Sequence, residues 1–198
     1  MRSQVSIDKA EYSRWLGSRD YRDTAEISTP TGSGTIDKGS GNLTYANTDF
    51  EINTGVMGLS LTRTYNSQSD KQGMFGNGWY DSFHRELYHV GDQVVFQDSD
   101  GSCLAFEKNG DSYTCEETKE YTLEEEPEEQ EKTYELEEKT EAKEEQETVK
   151  KTISYQWILM DKDQNITRFD ANGTMVSQED ANGNFLLYEM DETGLLKL

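Results

Sequence analysis

The chain has 198 residues, and its 40 acidic side chains against 19 basic ones give a formal net charge of -21. That balance excludes a surface built to hold nucleic acid or an anionic membrane, because both attract Lys and Arg. Leu, Ile, Val and Phe make only 35 residues, the composition of a disordered chain, yet Tyr, Trp and Phe reach 11%.

The location of the charge resolves that conflict. Residues 116–151 hold 16 Glu and 6 Lys, with Leu123, Leu136 and Val149 as their only aliphatic residues and no glycine. The remainder carries 19 of the 21 aromatic residues and all 16 glycines. It can bury a modest core built on rings, each worth roughly 150–250 Å². The composition therefore reads as one globular unit interrupted by an acidic low-complexity insertion. No run of 18 apolar residues exists to span a membrane, and the polar N-terminus lacks a signal-peptide core.

In chain order, residues 1–37 read as a polar leader and linker, with Thr29-Pro30-Thr31-Gly32 as its turn-forming punctuation. From 38 to 117, short alternating runs separated by Asn, Asp and Gly read as strands. Along Leu59–Tyr65 the odd positions take one face, and Ser60, Thr62 and Thr64 the other. Glu86–Val90 and Gln93–Phe96 flank Gly91-Asp92, a two-residue hairpin turn. Gly73-Met74-Phe75-Gly76-Asn77-Gly78 calls for positive φ beside the bulky Trp79.

A second hairpin is expected at Asn109-Gly110. Centring it there pairs Lys108 with Asp111, Phe106 with Tyr113 and Leu104 with Cys115. Cys103 then lies on the face opposite Cys115, and no disulfide can join them. Residues 118–151 follow as the acidic insertion. It reads as a solvated, mobile tract. The alternative is an exposed ribbon turning at Pro127-Glu128-Glu129, with Tyr121 opposite Leu136 and Leu123 opposite Tyr134. From 152 to 198 the strand pattern resumes at Ile153, Tyr155, Trp157 and Leu159. A 21-residue offset then aligns Phe169-Asp170-Ala171-Asn172-Gly173 with Met190-Asp191-Glu192-Thr193-Gly194. Asp180-Ala181-Asn182-Gly183-Asn184 supplies a turn near the half-period, and Leu195–Leu198 reads as an uncovered strand edge. The fold class is all-β, an antiparallel meander of hairpins.

That repeat resembles the YD repeat of Rhs-type proteins. The segment Gly58-Leu59-Ser60-Leu61-Thr62-Arg63-Thr64-Tyr65-Asn66-Ser67, with Phe75-Gly76-Asn77-Gly78-Trp79 and Asp98-Ser-Asp-Gly101, resembles the entry module preceding those repeats in bacterial Rhs and wall-associated proteins. The resemblance covers residues 38–115 and 152–198. It implies the opening segment of a spiral β-sheet shell, secreted or held at the cell wall, that encloses or displays a C-terminal toxin. The implied partners are the rest of that shell and the toxin. A cell-wall or carbohydrate adhesin using Tyr155 and Trp157 is the alternative.

No catalytic, cofactor or metal residue is assigned, and no enzyme is expected. His84 and His89, taken with Cys103 and Cys115, lack zinc-ligand spacing. Asp161-Lys162-Asp163-Gln164-Asn165 starts like a calcium loop. Ile166 then stands where that loop needs Gly, and Asn172 where it needs Glu, so a polar turn is expected. Asn42, Asn165 and Asn172 each begin a glycan-acceptor triplet by sequence alone.

Overall fold

The computed structural model describes residues 16–17, 22–52, 57–110, 112–139 and 146–189, with side chains omitted at 137–139 and 146–147. Within these residues every regular element is a strand and every pairing is antiparallel, as the alternating pattern requires. The Met190–Gly194 half of the repeat and the Leu195–Leu198 edge lie outside the described residues.

A five-stranded sheet opens the molecule. Strands β1 (Thr24–Thr29) and β2 (Gly32–Asp37) form a hairpin on the two-residue turn Pro30-Thr31. This corrects the linker reading: Pro30 initiates a turn rather than marking a break. β2 pairs with β3 (Leu43–Ile52), β3 with β4 (Leu59–Asn66), and β4 with β7 (Trp79–Asp81). Between the last two lies a small ribbon of β5 (Gln72–Gly73) and β6 (Gly76–Asn77), with positive φ at Gly76 and Gly78 as expected. The two-residue period of β4 is present. At its C-terminal end, however, the polar face is the buried one: Thr64 and Asn66 are enclosed, while Arg63 lies over the rings of Phe75 and Trp79.

A nine-stranded sheet follows, and each strand pairs with its neighbour in sequence. It runs through β8 (Glu86–Val90), β9 (Gln93–Gln97), β10 (Cys103–Asn109), β11 (Ser112–Thr114) and β12 (Tyr121–Lys139). It continues through β13 (Gln146–Asp161), β14 (Ile166–Phe169), β15 (Met175–Glu179) and β16 (Phe185–Leu187). The sheet curls far enough for its first strand to return to the β14–β15 turn. There the Leu87 amide donates to Gly173 O at 2.8 Å, and Glu86 bridges to Thr174. The inner face holds the core, with Phe96, Phe106, Leu123 and Phe169 fully enclosed and the β4 residues Leu59 and Leu61 packed against it.

The Gly91-Asp92 hairpin forms as expected, with Val90 opposite Gln93. The next hairpin is shifted. Lys108 pairs with Tyr113 and Asn109 with Ser112, so the ladder closes at Asn109 and Ser112. The shift is by two positions and preserves the faces: Cys115 packs toward the main core, while Cys103 joins Val95 and Ala105 on the opposite side. No disulfide joins the two, as expected.

The acidic tract departs furthest from its reading as a mobile insertion or a ribbon turning at 127–129. β12 runs straight through Pro127, and its partner is β13. Residues 126–129 bulge opposite Gln156 alone, which is where a residue without an N–H is tolerated in a sheet interior. Leu123 and Tyr134, 0% and 4% exposed, make the tract part of the packed structure.

Four Asp-centred turns share one geometry. In Asp98–Ser102, Asp161–Asn165, Asp170–Thr174 and Asp180–Asn184, the Asp amide donates to the fifth residue's carbonyl, and the fourth residue's amide donates to the Asp carbonyl. In the last three, Asp Oδ1 also accepts from the third and fifth amides. The segment read as a failed calcium loop is thus a polar turn. Its fourth residue, Gln164, has φ 64° where the other three have glycine. Left-handed backbone costs a residue with a Cβ about 1 kcal/mol. Gln164→Gly is therefore expected to stabilise the protein by about 0.5–1 kcal/mol, raising the midpoint of urea unfolding without changing its slope.

Candidate functional site

Among the described residues, two clusters of enclosed or half-buried polar side chains join layers. The first is centred on Asn66, which is fully buried at the end of β4. Its Oδ1 accepts from the Gly17 amide at 2.8 Å and from Asn42 Nδ2 at 2.9 Å, while its Nδ2 donates to Asp100 O at 2.7 Å. Thr44 Oγ1 donates to Gly17 O. One asparagine thereby ties three parts of the chain together: residues 16–17, the five-stranded sheet and the 98–102 turn. Leu16, 3% exposed, is held with them rather than standing in a solvated leader. Asn42 is 1% exposed, which removes it as a glycan acceptor in the folded protein.

The second cluster lies under the long β12–β13 ribbon. Beyond the Pro127 bulge the ribbon crosses β15, and its inner face carries Lys132, Tyr134, Ile153 and Tyr155. Glu179 Oε2 receives Lys132 Nζ at 2.5 Å and Arg168 Nη1 at 2.8 Å. The same Arg168 nitrogen donates to the Tyr134 hydroxyl at 3.0 Å, and the guanidinium lies over the Tyr155 ring. Tyr134 packs its ring 4.4 Å from that of Phe185. Arg168 is enclosed while Glu179 and Lys132 are half-buried, so the Arg168 charge depends most on the carboxylate for compensation.

Burial acts most strongly on Glu179 and pushes its pKa up. The bonds and charges of Lys132 and Arg168 outweigh burial and hold the carboxyl below its ordinary value. A depressed folded pKa contributes stability that is complete above the unfolded pKa and lost as pH falls through the folded one. Acid titration should therefore reveal a loss of stability below the usual glutamate range, and Glu179→Gln should flatten that part of the profile. An unchanged acid limb in the variant would exclude Glu179 as its source.

The sequence candidates do not meet at one place. His84 Nδ1 sits 2.6 Å from Asp81 Oδ1, whereas His89, which is exposed, lies edge-on to Trp157. Among the described residues there is no group of three or more His, Cys, Asp and Glu side chains arranged for a metal. The aromatic pair proposed for glycan binding is also corrected. Trp157 is 3% exposed in the core against Tyr113, and Tyr155 lies beneath Arg168. Trp157 fills the inner face because the inward series Tyr155, Trp157, Leu159 continues unbroken along β13. Sequence reading missed Asn66 as an organiser, and no periodic signal marks a buried asparagine.

The phenols of Tyr80 and Tyr188 are pushed up to about 12 by burial, so they stay protonated as hydrogen-bonding groups at neutral pH. A cavity of about 270 Å³ opens between Arg85, Tyr121, Leu159 and Gln178. Arg85 there is already paired with Asp98 at 2.9 Å. No helix among the described residues is long and apolar enough to cross a membrane.

Residues 33–106, which run from β2 to β10, match the family described as a domain of unknown function, DUF6531. The protein is also similar to the tRNA nuclease WapA of Bacillus subtilis strain 168, 29% identical over 101 residues. The tRNA(Glu)-specific nuclease WapA of Bacillus subtilis subsp. natto and the tRNA3(Ser)-specific nuclease WapA of Bacillus spizizenii match to the same extent. In each case the match covers 51% of this sequence and 4% of the relative, so it corresponds to a small part of those proteins.

Proposed function

We propose that the protein is a noncatalytic structural segment of a secreted, toxin-bearing Rhs/YD-repeat protein, forming the opening of a β-sheet shell that encloses or displays a C-terminal toxin. One observation carries this reading. Relatives named for two different tRNA targets match equally, at 29% over 101 residues. A region shared so evenly is a poor place for target choice, and a good place for a common scaffold. The polar clusters support the same role. Their carboxylate and amide groups are engaged in joining layers, and Glu179 is already neutralised by two cations. Its partners, on this reading, are further repeats of the shell and the toxin, and its place is outside the cell or at the wall.

The catalytic half of the proposal is tested by incubating the purified protein with total tRNA. Intact tRNA is expected, and cleavage that follows the protein through purification would overturn the noncatalytic role. The shell half is tested in the reading frame downstream. Further aromatic-Asp-x-x-Gly repeats ending in a separate domain are expected. A frame that ends without them would overturn the shell reading while leaving the scaffold reading intact.

A further inference from the structure

Four Asn-Gly pairs occur in the sequence: Asn77-Gly78, Asn109-Gly110, Asn172-Gly173 and Asn182-Gly183. Asn-Gly is the dipeptide most prone to spontaneous ring closure, because glycine leaves the attacking backbone nitrogen unshielded. All four asparagines are exposed, so access to solvent does not distinguish them. The state of the glycine amide does.

That amide must lose its proton and swing toward the asparagine side chain before it can attack. In three pairs it is held. Gly78 N–H donates to Lys71 O at 2.9 Å, and Gly173 and Gly183 donate to Asp170 O and Asp180 O at 3.0 Å each. The Asn172 and Asn182 amides are themselves fixed on the Asp170 and Asp180 carboxylates. At the β10–β11 hairpin no such hold exists. Asn109 and Ser112 close the ladder, Gly110 is the first loop residue with φ 67°, and its amide has no acceptor among the described residues.

We infer that Asn109 is a site of spontaneous self-modification, the one Asn-Gly pair in this fold left competent to form a succinimide. The deprotonated Gly110 nitrogen attacks Asn109 Cγ, and the bond from Cγ to Nδ2 breaks with release of ammonia. Water then opens the ring at either carbonyl to give aspartate or isoaspartate. Both products add a negative charge at the hairpin. Isoaspartate also inserts a methylene into the backbone at Asn109, the last ladder residue before the loop. That lengthening acts on the register that places Lys108 over the Tyr113 ring and within 3.0 Å of Glu125.

The test is to age the folded protein in mildly alkaline buffer and follow all four peptides by mass spectrometry, with isoaspartyl methylation as an independent readout. In the folded state the Asn109 peptide should gain the amide-to-acid mass about tenfold faster than the peptides of Asn172 and Asn182. One backbone hydrogen bond broken beforehand supplies a factor of that size. In denaturant the four rates should converge, because the sequence context is then alike. Gly110→Ala should suppress the reaction at Asn109 and leave the other three unchanged. Equal rates in the folded state, or faster reaction at Asn172 or Asn182, would overturn the assignment. So would a reaction at Asn109 that the Gly110→Ala variant retains.

Discussion

Replacing residues 118–150 with a short Gly-containing turn is expected to abolish cooperative folding. The tract looks dispensable from its charge, but it supplies all of β12 and the first five residues of β13, in the interior of a nine-stranded sheet. Removal strips the ladder from β11 and β13 and takes fully buried Leu123 from the core, along with Tyr134 from its place against Phe185. Loss of a large buried residue alone costs about 2–5 kcal/mol. That is comparable to the whole stability of a domain, which is about 5–15 kcal/mol. Replacing only residues 137–148 should leave the fold intact, since Tyr134, Lys132 and the Pro127 bulge remain. Circular dichroism melts of the two variants separate the cases, and a sharp native-like transition in the longer replacement would show the ribbon to be peripheral.

The second large effect is expected at the closure of the curl. Gly173 and Gly183 occupy the same place in equivalent turns, both at φ 83°. A Cβ at Gly183 meets nothing within 4 Å, whereas one at Gly173 falls 2.0 Å from the Leu87 carbonyl oxygen. Gly183→Ala should therefore cost only the left-handed backbone strain, about 1 kcal/mol. Gly173→Ala must also push β8 away and break the Leu87–Gly173 hydrogen bond, for a total of about 3 kcal/mol or more. In melting temperature the difference is roughly 4–8 °C for a protein of this length. Equal losses in the two variants would mean that the contact between β8 and the β14–β15 turn contributes nothing to stability.

Local chemistry was legible and distant chemistry was not. The Gly91-Asp92 turn and the Asp-x-x-Gly turns could be read because a few adjacent residues settle them. The β10–β11 register could not, since it depends on Lys108 reaching Glu125 on β12, and the Tyr113 hydroxyl donates to the same carboxylate at 2.7 Å. The ribbon misled for a related reason. Its inward residues are odd-numbered at Tyr121 and Leu123 but even-numbered at Lys132 and Tyr134, because the bulge at 126–129 changes the parity. A strict period-two reading breaks there and suggests a turn. The alternation from Ile153 through Leu159 on the partner strand has no such break and was visible throughout. The enclosed cluster around Asn66 had no counterpart in any pattern, since hydrogen bonds among Gly17, Asn42 and Asp100 join positions far apart in the sequence.

The strict order of the nine-stranded sheet bears on how the protein reaches its structure. Every strand from β8 to β16 finds its partner in the strand just completed, so each pairing closes a short loop and the search for partners stays local. During synthesis from the N-terminus, each new hairpin has a finished edge waiting for it, and little strand surface stands unpaired at any moment. The closure of the curl escapes this economy. Leu87 cannot receive its place against Gly173 until more than eighty further residues have been made, so the curl stays open through most of synthesis and shuts late.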